Sequence, residues 1–484
     1  MTSATIVARR LDSVPIWASV LLGVVGSVGV ALSAASIGST TRPGYYRWWL
    51  RLPHIGYVPA HVLLYVGVAL LVVGWLGLGV VARRGDLGVA RCWAALVSWG
   101  LPLLAGAPAF SRDVYSYAAQ GELTRHGLNP YTVAPSALVH GPLYYSLAEV
   151  WRDTTSPYGP LFLALSHASA AVAGHSLIAQ VLTFRALELV GVILLMLVLP
   201  LLARHFNADP GVALWLGALS PLALFSAISS AHNDTLMLGL LALAIMVALK
   251  GRRRWALVLF AVAATVKLPA LAGAVIFAAR DLRAAPRGRR AQLVGEALVI
   301  PAVVIAAITE AVGLGWAWLS PSALRIPTEL RVLTTPVVSL GVFSATLARG
   351  IGIDVANHAM VTAVQYVGGL AVLALLVMLV LRVRGYNTVR LLGVALLVVV
   401  VGSPTLWPWY LLWGLTVLGV TSAQRSRSLA VVAGGAMLLV GAGGTPMIGG
   451  NGFLLSGPLV LAGLWWLARA GRWPDIMARD DRVH

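Results

Sequence analysis

Residues 255–279 read WALVLFAVAATVKLPALAGAVIFAA, an apolar run that contains one charged residue, Lys267. Clusters of basic residues flank this run at 250–254 and at 280–290. Because the cytoplasmic loops of membrane proteins are enriched in arginine and lysine, a single crossing would place one cluster on the wrong side. We therefore predict two half-spans, 255–266 and 268–279, each about 18 Å long, that form a hairpin with Lys267 and Pro269 at its turn.

The whole chain has the composition of a membrane protein. Of its 484 residues, 59% are hydrophobic and 11% are charged, and the mean hydropathy is +0.86. A helix needs about 20 apolar residues to cross a bilayer, and backbone polar groups in lipid must be paired within the helix. We predict an all-α polytopic membrane protein with about 14 membrane helices, the two half-spans included. The predicted spans are 15–38, 61–82, 90–109, 178–203, 211–230, 234–250, 255–266, 268–279, 293–314, 358–381, 389–404, 407–421, 428–447 and 453–469.

The basic clusters in the short loops set the expected orientation, with both termini in the cytoplasm. The segments 110–177 and 315–357 then become long external loops. Apolar stretches inside them, near 158–173 and 336–349, are expected to lie at the interface or to re-enter. The first run, from Ile16, follows a short basic segment without an evident cleavage site, so we expect it to be an uncleaved span.

Charge, cysteine content and motifs exclude several classes of protein. The net charge of +18 is spread over loops between spans and forms no continuous basic face, so the lipid bilayer and not nucleic acid is the expected partner. A single cysteine, Cys92, excludes an intramolecular disulfide and a cysteine-based metal cluster. No nucleotide-binding fingerprint and no large soluble domain are present, so an activated donor is expected to be membrane-borne.

Lys267 is the strongest candidate for function in the hairpin, and it is one of only two lysines in the chain. A cation within the membrane is energetically costly, and it is by default a functional-site hypothesis. As a point charge it suits a lipid-linked phosphate. The alternative is a lysine whose head reaches out to the lipid headgroups.

Two acids are expected on the external side, at the ends of predicted spans. Asp113 follows the third span in FSRDVYSYAAQGELTRHGLNPY (110–131), and Asp234 lies in SSAHNDTLML (229–238). The His232-Asn233-Asp234 triplet either caps a helix start or orients a sugar or a divalent ion. Arg185 and Glu188, three residues apart inside a span, are expected to form a structural ion pair.

Aromatic residues are concentrated at external positions. Tyr115, Tyr117, Tyr131 and Tyr158 lie in the first external loop, and PTLWPWY (404–410) contributes Trp407, Trp409 and Tyr410. An interfacial aromatic belt is one explanation, and a groove in which aromatic faces stack on sugar rings is the other.

These motifs together resemble the GT-C glycosyltransferases. RDVYSYAAQGEL and GLNPY within 112–131, YGPL (158–161), HNDTL and VKLPAL (266–271) are similar to the bacterial polyprenol-phosphate-mannose-dependent α-(1→6)-mannosyltransferases, which build lipomannan and lipoarabinomannan cores. The resemblance covers roughly 90–420, as a catalytic membrane core. Residues 1–89 add N-terminal helices, and 421–484 add C-terminal helices with a basic tail.

The resemblance implies a reaction and a role for each residue. Mannose would pass from polyprenyl phosphate mannose to a mannan or lipoglycan acceptor, with inversion, forming α-1,6 linkages on the external face of the plasma membrane. Asp113 would be the catalytic base, and Lys267 would hold the donor phosphate with Arg325 and Arg331. No cofactor is certain, because the single Asp113 beside Val114 leaves a divalent cation open. The expected substrate-binding residues are Arg112, Tyr115, Tyr117, Asn129, Tyr131, Tyr158, His232, Asn233, Asp234, Trp407, Trp409 and Tyr410.

A second class of function stays open from the sequence. Many spans, a broken helix and intramembrane charges also suit a secondary transporter or a flippase for lipid-linked sugars. The polar candidates gather on the external side and not at the midplane, and the two halves show no evident repeat, so we favour the enzyme.

Overall fold

The computed structural model describes residues 15–37, 49, 52, 55–320, 326, 335–383, 386–421 and 434, and the regular structure within them is helical. Short 3-10 turns also occur at Pro135–Ala137, Leu268–Ala270, Ala317–Leu319 and Pro408–Tyr410. The helices are α1 (Ile16–Ile37), α2 (Tyr57–Arg83), α3 (Val89–Ala105), α4 (Asp113–Arg125), α5 (Pro142–Ser146), α6 (Glu149–Arg152), α7 (Pro160–Ala173), α8 (Leu177–His205), α9 (Pro210–Leu216), α10 (Pro221–Ser229), α11 (Asp234–Leu249), α12 (Arg253–Val266), α13 (Leu271–Ala284), α14 (Arg287–Val312), α15 (Pro336–Gly350), α16 (Asn357–Leu381), α17 (Thr388–Gly402) and α18 (Leu411–Gly419).

Five of the described helices are long and apolar enough to cross a membrane: α1, α2, α8, α14 and α16. A sixth span results if the bent pair α9 and α10 is counted as one. These helices make the chain a multi-pass membrane protein, and they coincide with predicted spans. Apart from residue 434, the spans predicted at 428–447 and 453–469 lie outside the described residues, and the total number of crossings stays a prediction.

The span predicted at 211–230 is wrong as a continuous helix. Its two parts, α9 and α10, are bent by 51°. Ser220 Oγ accepts a hydrogen bond from the backbone N–H of Ala223, and Pro221 occupies the first position of α10. A capping serine followed by proline is a signal for a new helix start, and here it ends the preceding helix.

The hairpin predicted at 255–279 is present as a break between two antiparallel helices. Lys267 has an extended backbone, with φ −152° and ψ 122°, between α12 and the 3-10 turn Leu268–Ala270. Arg253, at the start of α12, lies 3.2 Å from the Asp281 carboxylate near the end of α13. The arginine-rich ends of both arms therefore lie together, and the second arm extends to Ala284, beyond the predicted 279.

The two segments predicted as external loops contain regular structure of their own. The first, 110–177, folds into α4 to α7, and the second contains α15. Gly159 approaches the carbonyl of Thr265 so closely that a Cβ would clash, which holds the chain at Tyr158 against the end of α12 beside Lys267. Whether the apolar stretches 158–173 and 336–349 touch or re-enter a membrane stays a prediction.

Candidate active site

Asp113 is the first residue of α4, and one hydrogen bond holds its carboxylate while another holds its backbone. Trp151 Nε1 donates to Asp113 Oδ1 at 2.9 Å, and the backbone N–H of Asp113 donates to Ser111 Oγ at 3.1 Å. The side chain is 14% exposed. Burial raises the pKa of this carboxyl to about 6, while the hydrogen bond from Trp151 and the charge of Lys267 act in the opposite direction. The group is therefore a carboxylate at neutral pH with a proton affinity suited to a general base.

His232 links Asp113 to the WPWY segment. Its Nδ1 lies 3.4 Å from Asp113 Oδ2, and its ring stacks on Trp409 with centroids 3.7 Å apart. Burial, and then the charge of Lys267, hold the pKa of this imidazole well below its usual value. The ring is therefore neutral at pH 7, so its contact with Asp113 is not an ion pair. Trp407 continues the stack, almost parallel to Trp409 at 5.1 Å.

Lys267 is surrounded by polar oxygens on one side and aromatic faces on the other. Its Nζ donates to Asp234 Oδ1 at 2.7 Å and to Asn233 Oδ1 at 3.3 Å. The ammonium also lies 4.5 Å from the ring centroid of Tyr410 and 5.4 Å from that of Trp413. Aromatic faces attract a cation, and a desolvated cation gains the most from them. The amine therefore lies within the protein and does not extend to the lipid headgroups.

Asn233 and Asp234 do not cap α11 with their side chains, so the capping interpretation of the triplet is wrong, and the role in orienting a sugar or a divalent ion stays a prediction. The N-cap Asn233 makes no side-chain capping bond, and Asp234 Oδ1 accepts from Lys267 and, at 2.6 Å, from Trp413 Nε1. Glu188 takes the capping role instead, because its Oε2 accepts from the Leu236 N–H at 2.9 Å. The triplet is thus free to face Lys267 and Asp113.

The ion pair predicted between Arg185 and Glu188 does not form. The Arg185 guanidinium donates to the carbonyl oxygens of Leu104, Gly106 and Ser229 at 2.6–2.7 Å. Glu188 points to the start of α11. The spacing of three residues places both on one face of α8, but backbone groups of neighbouring segments are better placed partners than the other side chain.

A cavity of about 220 Å³ opens beside Lys267. Its wall combines the hairpin turn, the start of the YGPL segment and the aromatic residues near α18. Apolar side chains predominate, so the ammonium is the main charge that the cavity presents. The lining residues are Trp151, Pro157, Tyr158, Gly159, Lys267, Leu268, Pro269, Trp318, Ile326, Val399, Ser403, Thr405, Tyr410 and Trp413.

Several residues predicted to bind substrate lie behind this wall. Tyr131 OH donates to the Tyr158 carbonyl at 3.0 Å, and the Asn129 side chain donates to the Leu314 carbonyl at 2.8 Å. Tyr117 is buried and packs edge-on against Tyr158 at 5.1 Å. Tyr115 is also fully buried, and Arg112 is half-buried beside Asp113. These residues support the site, whereas Arg325 and Arg331 lie outside the described residues.

Sequence reasoning missed two tryptophans that contact the acids. Trp151 binds Asp113, and Trp413 binds Asp234. For Trp413 a signal existed, because it lies one helical turn after Trp409 and Tyr410, and its ring stacks on Tyr410 at 4.6 Å. For Trp151 the chain offers no local signal, since it is distant in sequence from Asp113.

Among the described residues, no group of three His, Cys, Asp or Glu side chains is close enough together to hold a metal ion. Asp113 and Asp234 instead share their oxygens with indole N–H groups and an ammonium. In this part of the chain, the divalent cation that the sequence left open would therefore find these two carboxylates, each with its Oδ1 already hydrogen-bonded.

Comparison with known proteins places the chain in a family. A family model described as "Alpha-(1->6)-mannopyranosyltransferase, N-terminal domain" matches residues 20–281, more than half of the chain. The chain belongs to the alpha-(1→6)-mannopyranosyltransferase family. It is therefore a glycosyltransferase, which confirms the family and the enzyme class that the motifs indicated.

Further matches agree with membership of the alpha-(1→6)-mannopyranosyltransferase family. A model described as "MptB C-terminal domain" matches residues 337–449, and no solved structure matches the chain. Alpha-(1->6)-mannopyranosyltransferase A of Mycobacterium tuberculosis is 33% identical over 85% of this chain and 82% of its own length. Alpha-(1->6)-mannopyranosyltransferase B of Corynebacterium glutamicum is 27% identical over 85% of this chain and 74% of its own.

The two matched regions of the family both contribute to the site. Asp113, the triplet 232–234 and Lys267 lie in the first region, and Trp409 and Trp413 lie in the second. The contacts of Trp409 with His232 and of Trp413 with Asp234 join the two.

Proposed function

We propose that this protein transfers mannose from polyprenyl phosphate mannose to a mannan or lipoglycan acceptor, with inversion, on the external face of the plasma membrane. The observation that carries the proposal is a cavity lined by Lys267 and by Trp151, whose indole N–H binds the Asp113 carboxylate behind the cavity wall. A carboxylate base and a desolvated ammonium are what transfer from a phosphate leaving group requires. Family membership supports mannose as the sugar and α-1,6 as the linkage.

The proposed reaction is a direct displacement at the anomeric carbon. An acceptor hydroxyl forms the new C–O bond on the face opposite the phosphate, and the bond from the anomeric carbon to the phosphate oxygen breaks. The electron pair of that bond stays on the phosphate, and the hydroxyl proton moves to Asp113. A β-linked mannosyl phosphate then gives an α-mannoside, and one essential carboxylate suffices because no glycosyl-enzyme forms.

Lys267 binds the donor phosphate, both before the reaction and as negative charge develops on the leaving oxygen. Its ammonium lines the cavity while Asp234 holds it from behind. Because few other polar groups surround the cation, its field toward the cavity is weakly screened. The apolar lining from Leu268, Pro269 and Val399 suits the first isoprene units of a lipid-linked donor.

The acceptor is proposed to approach along the aromatic stack. Trp407 is half-buried and lies parallel to Trp409, which in turn stacks on His232 next to Asp113. Such faces pack on the apolar side of sugar rings. A mannan chain on Trp407 would direct its terminal hydroxyl toward the base.

A transporter or flippase of lipid-linked sugars is the alternative, and membership of a glycosyltransferase family does not favour it. The two functions differ in product. A transferase converts donor and acceptor into a longer mannan with an α-1,6 linkage, whereas a flippase moves the intact donor across the bilayer.

The test is purified protein in lipid vesicles with polyprenyl phosphate mannose and a short α-1,6-linked mannoside. We expect acceptor elongation by an α-linked residue and release of polyprenyl phosphate. Donor movement without elongation would support the flippase and overturn the proposal. The external face is tested in cells by thiol labelling of Leu268→Cys, which we expect to react from outside, whereas Arg254→Cys at the other end of the hairpin should react only after permeabilisation.

A further inference from the structure

Arg185 and Glu188 are two buried ionisable side chains that the proposed reaction does not use. They lie one turn apart on α8, and each is 1% exposed. A buried polar or charged group is costly unless it is hydrogen-bonded, so both side chains need partners. The partners that they have belong to the segments that carry the candidate catalytic groups.

Arg185 joins the segment before Asp113 to the segment before His232. Its Nη1 donates to the carbonyl oxygens of Leu104 and Gly106, both at 2.7 Å, at the end of α3. Its Nη2 donates to the Ser229 carbonyl at 2.6 Å, at the end of α10. A planar guanidinium can satisfy acceptors on both sides at fixed angles, which an ammonium cannot.

Further bonds connect the same two segments. The Ala109 N–H donates to Ser229 Oγ at 3.3 Å, and Ser230 Oγ donates to the Ala109 carbonyl. Each segment also contains a non-glycine residue with a positive φ, Phe110 at 70° and Ala231 at 54°. Such conformations persist only where the surroundings hold them. The backbone conformations that lead into Asp113 and His232 therefore depend on the hydrogen bonds made by Arg185 and on those between the two segments.

Glu188 acts on the other half of the site. Its Oε2 accepts from the Leu236 N–H at 2.9 Å, in the first turn of α11, which Asp234 begins. Gly191, on the next turn of α8, lies so close to the Thr235 carbonyl that a side chain there would clash. α8 therefore fixes the position of α11 along its axis and its rotation. Both determine where the Asp234 carboxylate, which binds Lys267, is placed.

We infer that Arg185 and Glu188 are positioning residues with separate targets: Arg185 sets the position of Asp113, and Glu188 sets that of Asp234 and, through it, Lys267. The inference rests on the proposed function for its kinetic consequences. Its structural part, that each of the two side chains orders the segments that it contacts, stands independently of the reaction.

The kinetic test compares Arg185→Lys with Glu188→Ala. Arg185→Lys keeps the positive charge but cannot bind acceptors on both sides as the planar guanidinium does. A shift of about 1 Å in a catalytic group can lower the rate about 100-fold, so we expect kcat to fall by about that factor. Its KM for the donor should stay within about twofold, because the variant leaves Lys267 in place. Glu188→Ala should instead raise the donor KM by about tenfold with little change in kcat, and Glu188→Gln, which can still accept from Leu236, should recover most of this loss.

The pH profile separates positioning of the base from a general loss of fold. Because Arg185→Lys keeps its charge, a shift of the acid limb of kcat/KM would report a displaced Asp113 and not a lost field. Arg185 contacts only backbone carbonyl oxygens, so the substitution removes none of the side chains that surround Asp113. The titratable and charged groups that face Asp113 are His232, Lys267, Asp234, Tyr117, Tyr158 and Tyr410.

Arg253→Met is the matched control, because Arg253 is a largely buried arginine with several partners at the far end of the hairpin. It should lower the thermal midpoint while leaving kcat, donor KM and the acid limb unchanged. If the folded Arg185→Lys enzyme has wild-type kcat and pH profile, or if both variants change the same parameter, the inference is wrong.

Amide hydrogen exchange on the same proteins gives a result that does not depend on activity. Arg185→Lys should speed exchange at 107–113 and 229–232, and Glu188→Ala should speed it at 234–238. If wild-type protein shows no transfer, the proposed function fails, and this pattern still decides the positioning roles. Unchanged exchange at both places would overturn them.

Discussion

The two ends of the α12–α13 hairpin carry ion pairs of similar composition in different surroundings. At the arginine-rich end, Arg253 and Arg254 share Glu296 at 2.9 and 2.7 Å, and Arg253 also contacts Asp281. At the other end, Lys267 has one carboxylate partner, Asp234, at 2.7 Å. Arg254 is 68% exposed, whereas Lys267 is 13% and Asp234 is 1% exposed.

This difference indicates which pair is built for stability and which for chemistry. At the arginine end, three arginines share the carboxylates of Asp281 and Glu296 and join three helices, and water screens the most exposed of them, Arg254. The Lys267 end is desolvated, and its remaining neighbours are an amide and two aromatic rings beside a cavity. Because Lys267 lines the cavity and Asp234 does not, an anion in the cavity would meet the ammonium and not its carboxylate partner.

Asp113→Asn should produce the largest loss. General base catalysis contributes about 10²- to 10⁴-fold, so kcat should fall by a factor in that range. The amide oxygen can still accept from Trp151, so the thermal midpoint should change little. The measurement is transfer rate at saturating donor and acceptor.

Glu122→Gln is the control for Asp113→Asn, because Glu122 is a buried carboxylate on the same helix that pairs with Arg125. It should retain wild-type kcat. An Asp113→Asn enzyme that keeps most of its activity would remove Asp113 from the mechanism.

Lys267→Met should have the second-largest effect, and this effect should be on donor binding. Hydrogen bonds to charged groups contribute about 1.5–3 kcal/mol, so the donor KM should rise by about 10- to 100-fold. Removing one member of a buried pair also leaves Asp234 uncompensated and lowers stability. The double variant Lys267→Met, Asp234→Asn should therefore recover the thermal midpoint without recovering donor KM. A donor KM unchanged in Lys267→Met would exclude the phosphate role.

Trp151→Phe should have a smaller effect that depends on pH. Burial raises the pKa of Asp113 to about 6, and the base must be ionised, so wild-type kcat/KM should fall as pH decreases through about 6. The Trp151 N–H stabilises the carboxylate, so its removal should move this midpoint upward and reduce activity mainly below neutral pH. A pH–rate profile from about pH 5 to 8 measures both enzymes. A midpoint that stays or moves down would contradict the contact.

The sequence allowed prediction of those features that depend on local chemistry. The break at Lys267 followed from proline and from flanking arginines, and Asp113 and Asp234 stood out because acids are rare in this chain. The bend at Ser220-Pro221 also had a local signal, a capping serine followed by proline. The continuous apolar pattern of 211–230 nevertheless led to the prediction of one straight span. The contacts of Arg185, Trp151 and Trp413 could not be predicted, because they join segments far apart in sequence and depend on how helices pack at Gly191 and Gly159.

Arg254→Gln should have the smallest effect, and it completes the comparison between the two ends of the hairpin. Arg254 shares Glu296 with Arg253, which is the less exposed of the two and also holds Asp281, so the junction of the three helices keeps its main contacts. Ion pairs in water contribute little, so transfer rate and donor KM should stay within about twofold of wild type. The measurement is the transfer rate and the donor KM of Arg254→Gln and wild type in vesicles at low and high salt. If Arg254→Gln weakened donor use as much as Lys267→Met, the net charge of the hairpin and not the desolvated ammonium would control the donor, and the distinction between its two ends would fail.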